Sequence, residues 1–140
     1  MVSEAHKDLA GLMRGHGILP TQQRMMLAKV LFEQNGHFSA DQLMRQVNGD
    51  SDRVSKATVY NTLGLFARQG LLREIIVDPT RVFYCTNTEP HHHLYNIDTG
   101  ELQDIETDSL VISDLPALPE GTVADGVDVI IRVRNDSDVN

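Results

Sequence analysis

The sequence predicts an α+β chain, with a helical module closed by a β-hairpin and then a small β-rich module. Three observations carry this. Apolar residues recur at helical spacing in four stretches before Gly70, the period then falls from about 3.6 to 2, and Glu89-Pro90 breaks the chain ahead of a second set of strand-like runs. The chain has 140 residues, 41% hydrophobic and 23% charged, which places it with ordinary globular proteins of one long or two small domains. Disordered, collagen-like and membrane classes are excluded on that balance. No apolar run approaches the roughly 18 residues of a membrane span, and Met1 to Leu9 is too polar for an export segment, so a cytoplasmic protein is expected.

Each element follows from its residues. Leu9, Leu12 and Met13 share one face of a first helix, about 4 to 15, ended by Gly15 and Gly17. Pro20 fits the first turn of a second helix carrying Met26, Leu27, Val30 and Leu31, stopped at Asn35-Gly36. Ser39 with Asp41-Gln42 is a helix-start signal for a third, with Ala40, Leu43, Met44 and Val47 as its stripe and Asn48-Gly49 as its end. Ser55 starts a fourth, about 55 to 69, in which Ala57, Val59, Tyr60, Leu63, Phe66 and Ala67 recur at helical spacing up to Gly70. Leu71 to Val77 and Arg81 to Thr86 then form a hairpin about Asp78-Pro79-Thr80. Helices followed by a hairpin give a winged helix-turn-helix from 1 to 87, in which the fourth helix is the one offered to a DNA major groove.

The second module, 88 to 140, opens with strands His93 to Ile97 and Glu101 to Ile105 about the turn Asp98-Thr99-Gly100. Residues 107 to 121 read as mostly loop. Val127, Val129, Ile131 and Val133 alternate along a third strand with one apolar face. About 50 residues bury little core alone, so that face is expected to meet a second copy in a homodimer.

Charge is divided unevenly between the modules. Residues 1 to 90 hold ten Lys+Arg and nine Asp+Glu, whereas residues 91 to 140 hold two and eleven, within a formal total of −8. The acidity therefore lies away from the winged helix and leaves DNA binding open. On the fourth helix Lys56, Tyr60 and Asn61 face outward, with Ser55 and Thr58 near its start and Val59, Leu63 and Phe66 facing in. Tyr60 can lie on thymine methyls and Asn61 can bond a base edge, while Arg14, Arg53 and Lys56 suit phosphates. The same pattern also describes a solvated face of any small helical domain.

The run His91-His92-His93 is the strongest local feature. On a strand His91 and His93 point together and His92 points away, so two imidazoles could ligate a divalent metal or heme with donors from elsewhere. A loop without ligand duty stays open as the alternative. His37 precedes the third helix as a lone loop histidine, Asp104 on the following strand could add an oxygen, and Asp98 reads as a turn former. Cys85, the single cysteine, reads as a buried small hydrophobe and permits no intramolecular disulfide or Cys-x-x-Cys zinc clip. No nucleophile elbow, phosphate loop or paired-carboxylate signature occurs, so no catalytic residue and no enzyme activity are expected.

From about residue 10 to 106 the chain resembles the ferric uptake regulator family, through Pro20-Thr21-Gln22-Gln23-Arg24, His37-Phe38-Ser39-Ala40-Asp41, Ala57-Thr58-Val59-Tyr60-Asn61 and His91-His92-His93-Leu94. The family motif His-His-Asp-His-Leu-x-Cys-x-x-Cys-Gly here reads Pro90 to Gly100, with Asn96 and Thr99 at the cysteine places and His92 at the aspartate. A four-cysteine structural zinc is thereby ruled out. The resemblance implies a regulatory metal site, for Fe(II), Mn(II) or Zn(II), at positions matching His37, Tyr84, His91, His93 and Asp104, of which Tyr84 is the weak member. The histidine run, Asp-Thr-Gly in place of Cys-x-x-Cys, and the stretch Leu115 to Arg134 look most like the iron response regulator branch. That likeness implies a homodimeric, double-stranded-DNA-binding transcriptional regulator of iron and heme metabolism. Heme would then be the signal on His91, His92 and His93, with a heme-delivering protein as a further partner. Two other readings stand beside it: a metal- or peroxide-responsive repressor that never meets heme, and a heme or metal carrier or storage module.

Overall fold

The computed structural model describes residues 8–34, 36–51 and 53–137. The chain divides into two compact units, Met1–Thr88 and Glu89–Asn140. The first contains helices α1 (Leu9–Gly15), α2 (Gln22–Gln34), α3 (Ala40–Asn48) and α4 (Lys56–Arg68), and strands β1 (His37–Phe38), β2 (Arg73–Asp78) and β3 (Arg81–Cys85). The second contains β4 (His92–Asn96), β5 (Leu102–Ile105), one 3-10 turn (Thr107–Ser109) and β6 (Ile130–Val133). The α+β class expected from the period change is the class observed.

Residues 4 to 7 of the expected first helix lie outside the described residues, and α1 begins at Leu9. Gly17, at φ 74°, turns the chain so that Ile18 enters the core. Pro20 does not sit in the first turn of α2. The Thr21 hydroxyl accepts from the Arg24 N–H at 3.3 Å, which caps the helix one residue after the proline. Leu27, Ala28 and Leu31 are the deepest residues of α2, while Met26 and Val30 are half-buried.

Ser39 starts α3 with a reciprocal box: its hydroxyl accepts from the Gln42 N–H at 3.2 Å, and the Gln42 side-chain oxygen accepts from the Ser39 N–H at 2.9 Å. Asn48 then organises the turn into α4. Its Oδ1 accepts from the Arg53 and Val54 amides at 3.0 and 2.9 Å, and its Nδ2 donates to the Val54 carbonyl at 2.9 Å. Leu9, Met13, Ile18, Leu27, Leu31, Leu43, Val59, Leu63 and Phe66 pack as one core. Burying each such side chain stabilises the unit by about 1.5–3 kcal/mol before entropy is counted.

The wing departs from expectation at its start. The Leu71 and Leu72 amides both donate to the Phe66 carbonyl and their side chains are buried, so the strand begins only at Arg73. β1 is a further difference. His37 lies on a two-residue strand, not a loop, and the sheet runs β1-β3-β2 with His37 opposite Cys85 and Phe38 opposite Tyr84. Two residues carry no readable period, so only pairing with β3 defines this strand.

In the second unit β4 is central, antiparallel to β5 and parallel to β6. The expected third strand is shorter than its alternation suggests, starting at Ile130 instead of Val127. Val129 still joins β4, because its carbonyl accepts from the His93 N–H at 3.0 Å and its own N–H donates to His92 Nδ1 at 2.9 Å. Val127, Ile131 and Val133 stay exposed within one chain. Residues 110–128 form no regular element.

Candidate metal centre and nucleic-acid interface

The β4–β5 register places His93 directly opposite Asp104, and His91 stands on the same side just before β4 begins. Their atoms converge. His91 Nε2 lies 3.1 Å and His93 Nε2 3.2 Å from Asp104 Oδ1, with the imidazole centroids 4.4 Å apart. The three possible ligand atoms fall within 4.8 Å of one another. Both imidazoles are buried, His93 to 2% exposure, whereas the Asp104 side chain is half exposed.

The tautomer of His91 follows from its second nitrogen. Nδ1 is 2.7 Å from the Glu89 carbonyl, which can only accept, so the ring hydrogen sits on Nδ1 and Nε2 presents its lone pair toward Asp104. A proton on Nε2 or a cation between the two groups reconciles that approach. Two imidazole nitrogens and a carboxylate oxygen suit a divalent iron, manganese or zinc ion, with at least one more donor needed to close its shell. The carbonyl bond to His91 is the outer-shell support such a ligand ordinarily has.

The expected three-histidine heme element is not a set of equivalent ligands. His92 turns to the other side of β4, where Nδ1 is committed to Val129, and the Nε2 atoms of His91 and His93 face Asp104 from buried positions. A porphyrin needs an open face about the ligating nitrogen, so the run as folded does not fit heme. His37 is half-buried on β1 of the first unit. Tyr84, the weak member of the expected ligand set, is part of the first unit's core. Burial, then the Glu74 carboxylate and Tyr60, push its phenol above the ordinary 10.0, so it is a neutral core group and not an anionic ligand.

Among the DNA-reading candidates, Lys56, Tyr60 and Asn61 are all exposed on α4, whose opposite side buries Val59, Leu63 and Phe66. Lys56 Nζ lies 5.9 Å from the Tyr60 ring centroid, a cation over an aromatic face. Ser55 is the cap: its oxygen accepts from the Thr58 N–H at 3.1 Å, and its hydroxyl donates to Thr58 Oγ1 at 2.9 Å. Arg14 and Arg53 are exposed at the end of α1 and in the α3–α4 turn. Two details escape the periodicity: Ala57 is exposed and Thr62 is buried. At the wing tip Asp78 Oδ1 accepts from both the hydroxyl and the amide of Thr80 at 2.8 Å, which with Arg81 holds its carboxyl below the ordinary range.

One chain thus carries a capped, exposed helix on its helical unit and a His/His/Asp cluster on its β-unit. The model of the ferric uptake regulator family matches residues 16–116, and the chain belongs to that family. Its members are transcription regulators that bind DNA and act as dimers. The peroxide-responsive repressor PerR of Staphylococcus aureus (strain Mu50 / ATCC 700699) is 28% identical over 103 residues, covering 74% of this chain and 69% of that protein. Two solved structures share the fold. The Vibrio cholerae ferric uptake regulator has a TM-score of 0.69 at 16% identity, covering 90% of this chain and 98% of that one. The Pseudomonas aeruginosa regulator, solved with manganese, has 0.66 at 22% identity, covering 89% and 96%. Among the described residues no helix is long and apolar enough to cross a membrane.

Proposed function

We propose that this chain is a homodimeric transcriptional regulator of iron metabolism whose DNA binding follows a divalent metal, Fe(II) or Mn(II), with Zn(II) as a further candidate. The observation that carries the reading is the convergence of His91 Nε2 and His93 Nε2 on Asp104 Oδ1. In this reading His91, His93 and Asp104 hold the metal from residues 88–140, and His37 supplies an imidazole from the DNA-binding module, residues 1–87. When bound, the cation supplies the positive charge that reconciles these donors. Requiring donors from both modules favours one arrangement of the two over others, which is a coupling between ligand and DNA affinity. Tyr60 and Asn61 read base edges, Lys56, Arg14 and Arg53 neutralise phosphates, and Ser55 and Thr58 fix the start of the reading helix. The exposed Val127, Ile131 and Val133 support burial against a second copy.

Two variants share this machinery. Peroxide response at the same metal centre has the Staphylococcus aureus relative as its support. Control by heme draws on the histidine run alone, against the commitment of His92 to Val129 and the burial of His91 and His93. A gel shift on AT-rich promoter DNA at fixed salt, run without metal, with Mn(II) and with heme, separates the readings. Binding that requires Mn(II) and ignores heme is expected, and is lost in the His91→Ala/His93→Ala variant. Binding abolished by heme would transfer control to heme, and no binding in any state would leave a carrier or storage module.

A further inference from the structure

The cysteine places of the family motif are occupied here by Asn96 and Thr99, neither of which is a thiolate, and both side chains are engaged in the turn. Asn96 Oδ1 accepts from the Asp98 and Thr99 amides at 2.9 and 3.1 Å, closing the β4–β5 turn, and Thr99 Oγ1 accepts from the Glu101 N–H at 3.2 Å. With one cysteine in the whole chain, a four-thiolate zinc cannot form. The same turn is nevertheless tied to the end of β6. Asn96 Nδ2 donates to Asn135 Oδ1 at 2.9 Å, the Asn135 N–H donates to Asp98 Oδ2 at 2.8 Å, and the Ile97 N–H donates to the Val133 carbonyl at 2.8 Å.

We infer that Asn96, Asp98 and Asn135 form a metal-free clip that fastens β6 along β4, taking the place of a structural zinc. A four-residue parallel strand at a sheet edge, exposed on most of its length, has little burial to hold it. The clip secures its far end, as the bonds of Val129 to His92 and His93 secure its near end. Asn96 is therefore shared between two tasks: its oxygen shapes the turn, and its amide nitrogen reaches Asn135, 39 positions later and two residues past the end of β6. Asp98, which the sequence presents only as a turn former, is the second half of the fastening.

The first test of the clip leaves the regulatory-metal residues unchanged. Asn96→Asp keeps the turn-closing oxygen, and Asn135 can rotate its amide to donate in return. Asn135→Asp keeps an acceptor for Asn96 Nδ2. The double variant sets acceptor against acceptor. Hydrogen exchange of the Ile97 and His93 amides, which donate to the two ends of β6, is expected to change little in either single variant and to accelerate on the order of ten-fold in the double. Equal exchange in all four proteins would overturn the inference. A second measurement stands even if the double variant does not fold: the His91→Ala/His93→Ala chain is expected to hold no tightly bound zinc and to keep its Tm and dimer in excess chelator. One retained zinc per chain, with a Tm that chelator lowers, would overturn the clip. Failure of the Mn(II) response in the gel shift would instead remove the regulatory-metal reading and leave the clip standing.

Discussion

Ser55→Ala and Ser39→Ala remove two side-chain caps of the same kind from helices of the same unit, and only one of those helices is assigned to DNA. The Ser55 oxygen takes the Thr58 N–H at 3.1 Å and its hydroxyl bonds Thr58 Oγ1 at 2.9 Å; the Ser39 oxygen takes the Gln42 N–H at 3.2 Å within a reciprocal box. Losing either cap leaves a first-turn amide without its partner, a cost of about 1 kcal/mol within a range of 0.5–2. Denaturant unfolding should therefore show two similar losses, with unchanged m-values. DNA affinity should separate them. If α4 enters the groove, its first turn must re-form on the duplex, and two reading heads in a dimer raise the expected loss to about 2 kcal/mol, roughly thirty-fold in Kd. Ser39→Ala should bind within about two-fold of the parent, since α3 keeps its buried Ala40, Leu43 and Val47. Equal losses of DNA affinity in the two variants, measured at one salt concentration, would refute the assignment of α4 as the reading helix.

Other consequences are equally direct. Lys56→Ala should weaken binding uniformly across sequences and reduce the magnitude of the salt slope by about 1 per phosphate contact, whereas Asn61→Ala should cost about 1–3 kcal/mol on the preferred sequence only; salt titrations on two duplexes distinguish them. His91→Ala with His93→Ala should preserve the dimer by sedimentation while abolishing the Mn(II) dependence of the gel shift, and an unaltered titration would remove the site. Tyr84 has a folded pKa above the ordinary 10.0, so the folded state holds its proton where the unfolded chain releases it. That contribution is fully present below pH 10.0 and is lost as pH rises from there through the raised value; Tyr84→Phe should flatten this alkaline loss in a Tm–pH series, and an identical profile would contradict it. Asp78, lowered from 3.8 chiefly by the Thr80 hydroxyl, works in the opposite sense. Its contribution is present above 3.8 and fades as pH falls below it, so Thr80→Ala should reduce the acid sensitivity of the wing's amide exchange.

Elements with several residues in register with their period were legible from the chain alone. The apolar repeats predicted the four α-helices of the described residues, and Ser39 and Ser55 marked two starts, because capping is a local bond between residues three apart. The change to a period of 2 disclosed the wing and the β4–β5 turn, and strand alternation placed His91 and His93 on the same side with His92 opposite. What failed to show was anything whose partner lies far along the chain. β1 is two residues long and is defined by β3, 48 positions away at the Cys85 pair, and β6 begins where β4 gives it bonds, not where its alternation begins. Thr62 looked polar by type, yet the packing of α4 buries it.

The candidate centre divides the same way. Residue identity named the imidazoles and the carboxylate, and it excluded a thiolate zinc from a chain with one cysteine. Only the antiparallel register set Asp104 opposite His93, only the Glu89 carbonyl settled the His91 tautomer, and only the parallel docking of β6 gave His92 Nδ1 its Val129 partner and joined Asn96 to Asn135. Periodicity and capping are short-range properties of the backbone that a sequence states directly. Tautomer, burial and long-range hydrogen bonds depend on which distant segments meet, and that is decided when apolar surface is buried and the backbone finds its partners.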